Sequence, residues 1–165
     1  MIHFHFVRKK LGLEITWTPK YNEPMKIDNT ISLISRVREN LNRMLVNEME
    51  ALGMDGLVPS HGDILVELFK HGEMSKSQIA DNISRDRSTV TTLVNKLIKF
   101  GYVETRKNPE DSRSVLVFLT AKGADLKSGI MEISENIFET LYADINDEER
   151  RIFRKVLMKM EQNTK

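Results

Sequence analysis

The chain of 165 residues contains no cysteine. Disulfide stapling, thiolate catalysis and cysteine-based peroxide sensing are therefore excluded. It has no apolar run near the roughly 20 residues that a membrane-spanning helix needs. Its N-terminus lacks the apolar core of a signal peptide, so a cytoplasmic protein is expected by elimination. There is no glycine-rich phosphate loop, no nucleophile–base pair and no strong metal-ligand spacing. No cofactor and no enzymatic activity are expected. Nor is there much net charge: lysine and arginine total 25 against 24 acidic residues, a formal net charge of +1. Bulk basicity gives no reason to invoke nucleic acid.

The distribution of charge says more. Between Ser84 and Ser114 stand seven cations, Arg85, Arg87, Lys96, Lys99, Arg106, Lys107 and Arg113, against four anions. From Thr120 to Asp144 the balance reverses, with two lysines against five acidic residues. One part of the chain suits phosphates and another does not.

The basic segment also carries the clearest helix. Val90, Leu93, Val94, Leu97 and Ile98 recur at three- and four-residue steps and make one apolar face. Asp86 is placed to cap the start, and Gly101 to end it in the left-handed conformation. The other face carries Arg87, Ser88, Thr91, Thr92, Asn95, Lys96 and Lys99, all hydrogen-bond donors and none acidic. That chemistry suits the major groove of DNA. A solvated surface helix has the same outline, so the neighbouring segments matter.

Upstream, Ser75-Lys-Ser-Gln78 reads as a capping box opening a short helix with Ile79, Ala80 and Ile83 inward. Ser84 and Arg85 form the turn into the second helix, a helix-turn-helix with serine where glycine is common. Downstream, Tyr102–Arg106 and Ser114–Leu119 read as strands around a polar turn, 107–113. A helix-turn-helix followed by a hairpin is a winged helix, and Arg106, Lys107 and Arg113 make its wing cationic.

The stretch RKNPEDSRSVLVFLTAKG, from Arg106 to Gly123, resembles the wing of the MarR family of transcription regulators. Its marks are Asp111-Ser-Arg113 in the turn, an apolar strand, then Leu119-Thr120. STVTTLVNKLIKFGYV, from Ser88 to Val103, is similar to the family's recognition helix and following strand. The resemblance spans roughly Ile27 to Met160. It implies a mainly α fold with a small β-hairpin wing, flanked by N- and C-terminal dimerisation helices. It also implies a homodimer on a pseudo-palindromic duplex, most often a repressor, with a small-molecule effector pocket between the DNA-binding lobe and the dimer helices.

The remaining segments fit that outline. Residues 1–24 alternate like two short strands before Pro19 and Pro24, and read as an added hairpin, a tail or an early start. Residues 25–56 hold a long helix and a loop, 57–119 the winged helix-turn-helix, and 120–165 two further helices. The long helix is expected to begin at Ile27, and Ile27, Ile31, Ile34, Val37, Leu41, Met44, Leu45 and Met49 recur at helical steps. After the wing, Leu126, Ile130, Ile133, Ile137 and Leu141 form a narrow stripe suited to helix–helix packing. Ile152, Phe153, Val156, Leu157 and Met160 line the last helix. Such stripes beside a small winged helix point to a two-fold dimer. Met44, Met49, Met54 and His61 lie where an effector pocket could be lined, although methionine at helical spacing is more often plain core. His61 with Asp63, and His3 with His5, are too few for a metal site. Asp111 is placed to hold the Arg113 guanidinium in a salt bridge.

Three functions compete on these observations: a DNA-binding regulator, a winged helix used only for protein contacts, and an enzyme. A protein-contact module would show an apolar or acidic exposed helix face, and the donor-rich face favours the regulator.

Overall fold

The computed structural model describes residues 28–111 and 113–165. The expected reading of residues 1–24 therefore lies outside the described residues. Helix α1 (Thr30–Ala51) opens where the Asp28 carboxylate accepts the Thr30 backbone N–H at 2.8 Å. Asn29 occupies the cap position, but its side chain makes no capping bond. The chain then turns through Gly53 and Gly56, both at positive φ, with Met54 and Leu57 buried between and beyond them. Helix α2 (Pro59–His71) starts on proline, whose missing N–H costs nothing in the first turn.

Strand β1 (Met74–Ser75) leads into α3 (Lys76–Asn82), opened by the expected capping box. The Gln78 N–H donates to Ser75 Oγ at 3.2 Å, and the Ser75 N–H donates to Gln78 Oε1 at 2.8 Å. Ser84, at φ +52°, carries the turn into α4 (Arg87–Lys99). This is a left-handed position, which is why glycine is common there and why serine sits in it with strain. Asp86 caps α4 as expected, its carboxylate accepting the Thr89 N–H at 2.7 Å. Gly101, at φ +76°, ends the segment.

Strands β2 (Val103–Lys107) and β3 (Val115–Leu119) form the wing hairpin. The sheet has a third strand that the sequence reading did not anticipate. β1 pairs antiparallel with β3, Met74 opposite Val117, giving the order β1-β3-β2. Two residues are too few for alternation to be legible, and a partner distant in sequence decides the pairing. The result is a winged helix-turn-helix.

Its core is shared by all the layers. Ile64, Leu65 and Leu68 of α2, Ile79 and Ala80 of α3, and Val90, Val94 and Leu97 of α4 are buried with Val103 and Val117 of the sheet. Each fully buried large aliphatic contributes about 1.5–3 kcal/mol relative to exposure. Ile98, read as part of the inward stripe, is 39% exposed, because eight residues of α4 rotate it past the edge of α2.

Beyond the wing the sequence suggests one long helix from Thr120. Two are present: α5 (Ala121–Asp125) and α6 (Lys127–Leu141), joined at Leu126. In the stripe of α6, Ile130 and Ile133 are buried and Leu126 and Ile137 partly so, packed within their own chain where α6 meets α1 and α2. Helix α7 (Asp147–Asn163) begins with an Asn146/Glu149 capping box and buries none of its residues. It leans on α6 through Arg150, whose guanidinium lies 5.1 Å from the centre of the Phe138 ring and 5.3 Å from that of Tyr142. Ile152, Phe153, Val156 and Met158 of α7 remain exposed, as do Ile31, Leu33, Ile34 and Val37 of α1.

Candidate nucleic-acid interface

Helix α4 owes its orientation to its own pattern. Val90, Leu93, Val94 and Leu97 are buried, and this turns Arg87, Ser88, Thr92, Asn95 and Lys99 to solvent, with Thr91 at the margin. Its first turn is fastened by Asp86. That carboxylate accepts the Ser88 hydroxyl, the Thr89 hydroxyl and the Thr89 N–H. These bonds, with the Ser88 hydroxyl the largest cause, hold the Asp86 carboxyl well below the usual carboxylate range.

The open face is narrower in donors than the sequence implies. Thr91 donates its hydroxyl to the Arg87 carbonyl at 2.9 Å, and Thr92 donates to the Ser88 carbonyl at 3.2 Å. The hydroxyl of Ser88 is turned to Asp86. The hydroxyl protons of all three are thus taken up within the chain, the two threonines by bonding back to the preceding turn and Ser88 by the capping carboxylate. Among the described residues no protein group engages the side chains of Arg87, Asn95 or Lys99.

The cations divide in the same way. Arg106 pairs with Glu73, which precedes β1, at 2.6 Å, so one wing cation is already neutralised. Arg85 reaches Ser60 at 3.4 Å, a weak contact. Lys96 donates to the Gly56 carbonyl in the loop between α1 and α2. Lys107 and Arg113 are exposed and have no ion-pair partner among the described residues.

The expected salt bridge within the wing is not formed. Asp111 accepts the backbone N–H of Arg113 at 3.0 Å, closing a turn two residues long, and no ion pair joins the two side chains. An aspartate is short enough to reach that amide directly, so its carboxylate sets the turn and leaves the guanidinium outside it. Asn108 completes the wing tip, its N–H donating to the Ser114 carbonyl at 3.1 Å and its side chain to Ser114 Oγ at 3.0 Å.

Three of the four residues expected to line an effector pocket, Met49, Met54 and His61, are buried in the core here, and Met44 lies outside it. Met54 and His61 are fully buried, Met49 nearly so and Met44 half-buried. His61 Nδ1 accepts the Val58 N–H at 2.9 Å, closing the start of α2. Burial lowers its pKa, and an accepting Nδ1 puts the proton on Nε2, which is buried without a partner. Two concavities open elsewhere, one between α6 and α7 and one on α6 alone. One of about 340 Å³ is lined by Phe138, Tyr142, Asp147, Arg150, Arg151 and Arg154. The other, of about 240 Å³, lies against Ser134, Glu135, Phe138 and Glu139. Among the described residues no group of three or more His, Asp or Glu side chains is placed to hold a metal ion. None of their helices is long and apolar enough to cross a membrane.

Residues 57–115 match the MarR family model, a span that runs from Leu57 before α2 through the whole helix-turn-helix to the start of β3. Over this segment the chain matches the MarR family of transcription regulators. The curated relatives it matches are named HTH-type transcriptional regulators. A relative from Bacillus subtilis (strain 168), the uncharacterized HTH-type transcriptional regulator YdgJ, is 29% identical over 125 residues, covering 76% of this chain and 75% of that one. A MarR transcriptional regulator from Methanosarcina mazei Go1 superposes with a TM-score of 0.68 at 25% identity, over 81% of this chain and 94% of that one. A mutant MarR from E. coli complexed with operator DNA has the same fold, with a TM-score of 0.71 at 22% identity, over 82% of this chain and 98% of that one.

Two features escaped the reading of the sequence. Gly123 sits where α5 crosses the backbone at Tyr102, and a glycine inside an otherwise ordinary helix start was its only signal. Lys96 looked like any other cation on the helix, and nothing local marks it as turned inward.

Proposed function

We propose that this MarR-family chain acts in the cytoplasm as a homodimeric repressor that binds a pseudo-palindromic duplex and is released from it by a small-molecule effector. The observation that carries the DNA-binding geometry is the open face of α4. Arg87, Asn95 and Lys99 are unengaged and exposed, on a helix whose opposite side is buried. Such a helix can enter the major groove, where asparagine pairs with an adenine edge and arginine with guanine. The wing then lies along the backbone with Lys107 and Arg113 free for phosphates or the minor groove.

Dimerisation is supported by apolar surface that one chain leaves uncovered. Helix α7 is amphipathic yet buries nothing, and Phe153 is 50% exposed. Ile31, Ile34 and Val37 of α1 are exposed as well, and apolar surface of this kind is what a two-fold axis would close. Two recognition helices related by that axis would meet major grooves about 10 base pairs apart. An effector acts by binding better to one spacing of the two helices than to the other.

The test is selection of bound duplex from a random pool, followed by a salt titration of the selected sequence. A two-fold symmetric consensus and a steep fall of affinity with salt are expected, because bound cations release condensed counterions. A single asymmetric half-site would refute the dimer on DNA, and a flat salt response would refute the binding mode. Effector relief is tested by screening aromatic acids against the complex, and a complex indifferent to all of them would leave a regulator without that control.

A further inference from the structure

Lys96 belongs by sequence to the donor face of α4, but the structure places its ammonium elsewhere. It stands between buried Leu93 and Leu97 in the helix, and at 100° per residue it falls at the border of the core-facing stripe. The stem is half-buried, and Nζ donates to the carbonyl of Gly56. Among the described residues no carboxylate pairs with it. Gly56 lies between Met54 and Leu57, both fully buried, at a φ of +72°. The same loop is closed by the Val58 N–H on His61, and by a long contact of 3.4 Å from the Tyr102 hydroxyl to the Gly53 carbonyl. This loop is the covalent link from α1 to α2. The lysine thus joins the helix that faces DNA to the segment that leaves the long N-terminal helix.

From this geometry we infer that Lys96 is a positioning residue: it makes no phosphate contact and instead ties the recognition helix α4 to the α1–α2 loop, fixing the pose of α4 relative to α1. The inference rests on the dimeric DNA-binding reading above for its consequence, and on the structure alone for the tether. Leu93, Val94 and Leu97 would keep α4 packed without the lysine. What would be lost is the restraint on its rocking, an ordering cost then met on binding. That cost falls on a duplex that requires one fixed distance between two recognition helices. It does not fall on random DNA, which accepts many poses.

The experiment compares the wild type with Lys96→Met, which keeps the stem and loses the donor, and with Lys96→Arg, which keeps charge and reach. Each is titrated with the selected duplex and with a scrambled duplex of equal length across a salt series. Lys96→Met is expected to bind the selected duplex about tenfold more weakly, the scale of one charge-assisted bond. Its affinity for scrambled DNA and its salt slope should match those of the wild type. Lys96→Arg should restore the selected duplex. A phosphate contact would instead lower the slope by about 1 and weaken both duplexes, and this result overturns the inference. So does unchanged affinity for the selected duplex, since a merely structural lysine would alter only thermal stability. Hydrogen exchange reads the tether without DNA. The amides of Gly53 and Met54 bond back to the end of α1, that of Leu57 to the Met54 carbonyl and that of Val58 to His61, and all four should exchange faster in Lys96→Met. Unchanged exchange refutes the tether even if Lys96→Met binds weakly. A wild type that bound no duplex would refute the DNA-binding reading and leave the tether to be decided by exchange. Should Lys96→Met not fold, Lys96→Gln takes its place in both arms.

Discussion

Replacing Gly123 by alanine offers a stringent test of how α5 is seated. A Cβ at this position would lie 2.0 Å from the Tyr102 carbonyl oxygen, 2.9 Å from the Tyr102 carbonyl carbon and 3.3 Å from Leu119 Cδ2. An ordinary C···O contact is about 3.3 Å, so the helix would have to retreat by more than an ångström. It cannot do so freely. The Tyr102 carbonyl accepts the Thr120 N–H at 3.1 Å, the Gly101 carbonyl accepts the Thr120 hydroxyl at 2.6 Å, and Thr120 Oγ1 caps α5 through the Gly123 N–H at 3.0 Å. Lys122 adds a bond to the Phe100 carbonyl at 2.9 Å. Overpacking costs about 1–3 kcal/mol, and one or two of these bonds would go at about 0.5–1.5 kcal/mol each. Alanine recovers up to about 1 kcal/mol of helix propensity. The net expectation is a loss of about 2–4 kcal/mol, or roughly 5–15 °C in Tm for a chain of this size. Urea unfolding followed by circular dichroism measures it. Gly129→Ala is the control, because its Cβ would meet only the Leu52 side-chain tip, at 2.8 and 2.9 Å, which can rotate away. A loss below about 0.5 kcal/mol for Gly123→Ala, or one no larger than for Gly129→Ala, would refute the reasoning.

Three further outcomes are expected. Ser84 occupies the left-handed region at φ +52°, so Ser84→Val should cost about 1–2 kcal/mol in chemical denaturation, while Ser84→Gly should be tolerated or stabilising. Burial lowers the pKa of His61 from its ordinary 6.5. The unfolded chain therefore takes up that proton more readily, and the contribution of His61 is complete above pH 6.5 and lost as pH falls below it. His61→Gln, which can still cap α2, should flatten stability against pH in that window, and an unchanged profile would show that other groups set it. Asn95→Ala should cost about 1–3 kcal/mol on the selected duplex and relax one base position, whereas Arg113→Ala should weaken all duplexes and lower the salt slope by about 1. The reverse assignment of these two effects in an anisotropy series would show that the grooves have been exchanged.

Much of this fold is legible in local pattern. The caps at Ser75, Asp86 and Asn146 bond as the residue types require, because a cap joins groups within three residues of one another. The inward stripe of α4 and the left-handed ends at Gly72 and Gly101 are likewise short-range matters. Two expectations fail for one reason. The Asp111 carboxylate takes an amide where a guanidinium is expected, and the serine and threonine hydroxyls of α4 bond inward where outward donors are expected. In each case a nearby backbone or capping group outcompetes a more distant partner, since the local bond costs less side-chain entropy.

Periodicity and capping by themselves determined the helix-turn-helix, the wing and the chemistry available on α4, because they depend on contacts a few residues apart. They could not determine which cations stay free. Arg106 meets Glu73 across 33 positions and Lys96 meets Gly56 across 40, and no local signal encodes an encounter at that separation. The same holds for β1, which is a strand only because β3 lies beside it, and for Gly123, whose missing side chain matters only because the Tyr102 carbonyl passes there. It holds too for the stripes of α6 and α7. Both are apolar at helical spacing, yet the folded chain buries Ile130 and Ile133 and leaves Ile152 and Phe153 uncovered. Amphipathicity states that a face must be buried, and only the packed structure decides against what.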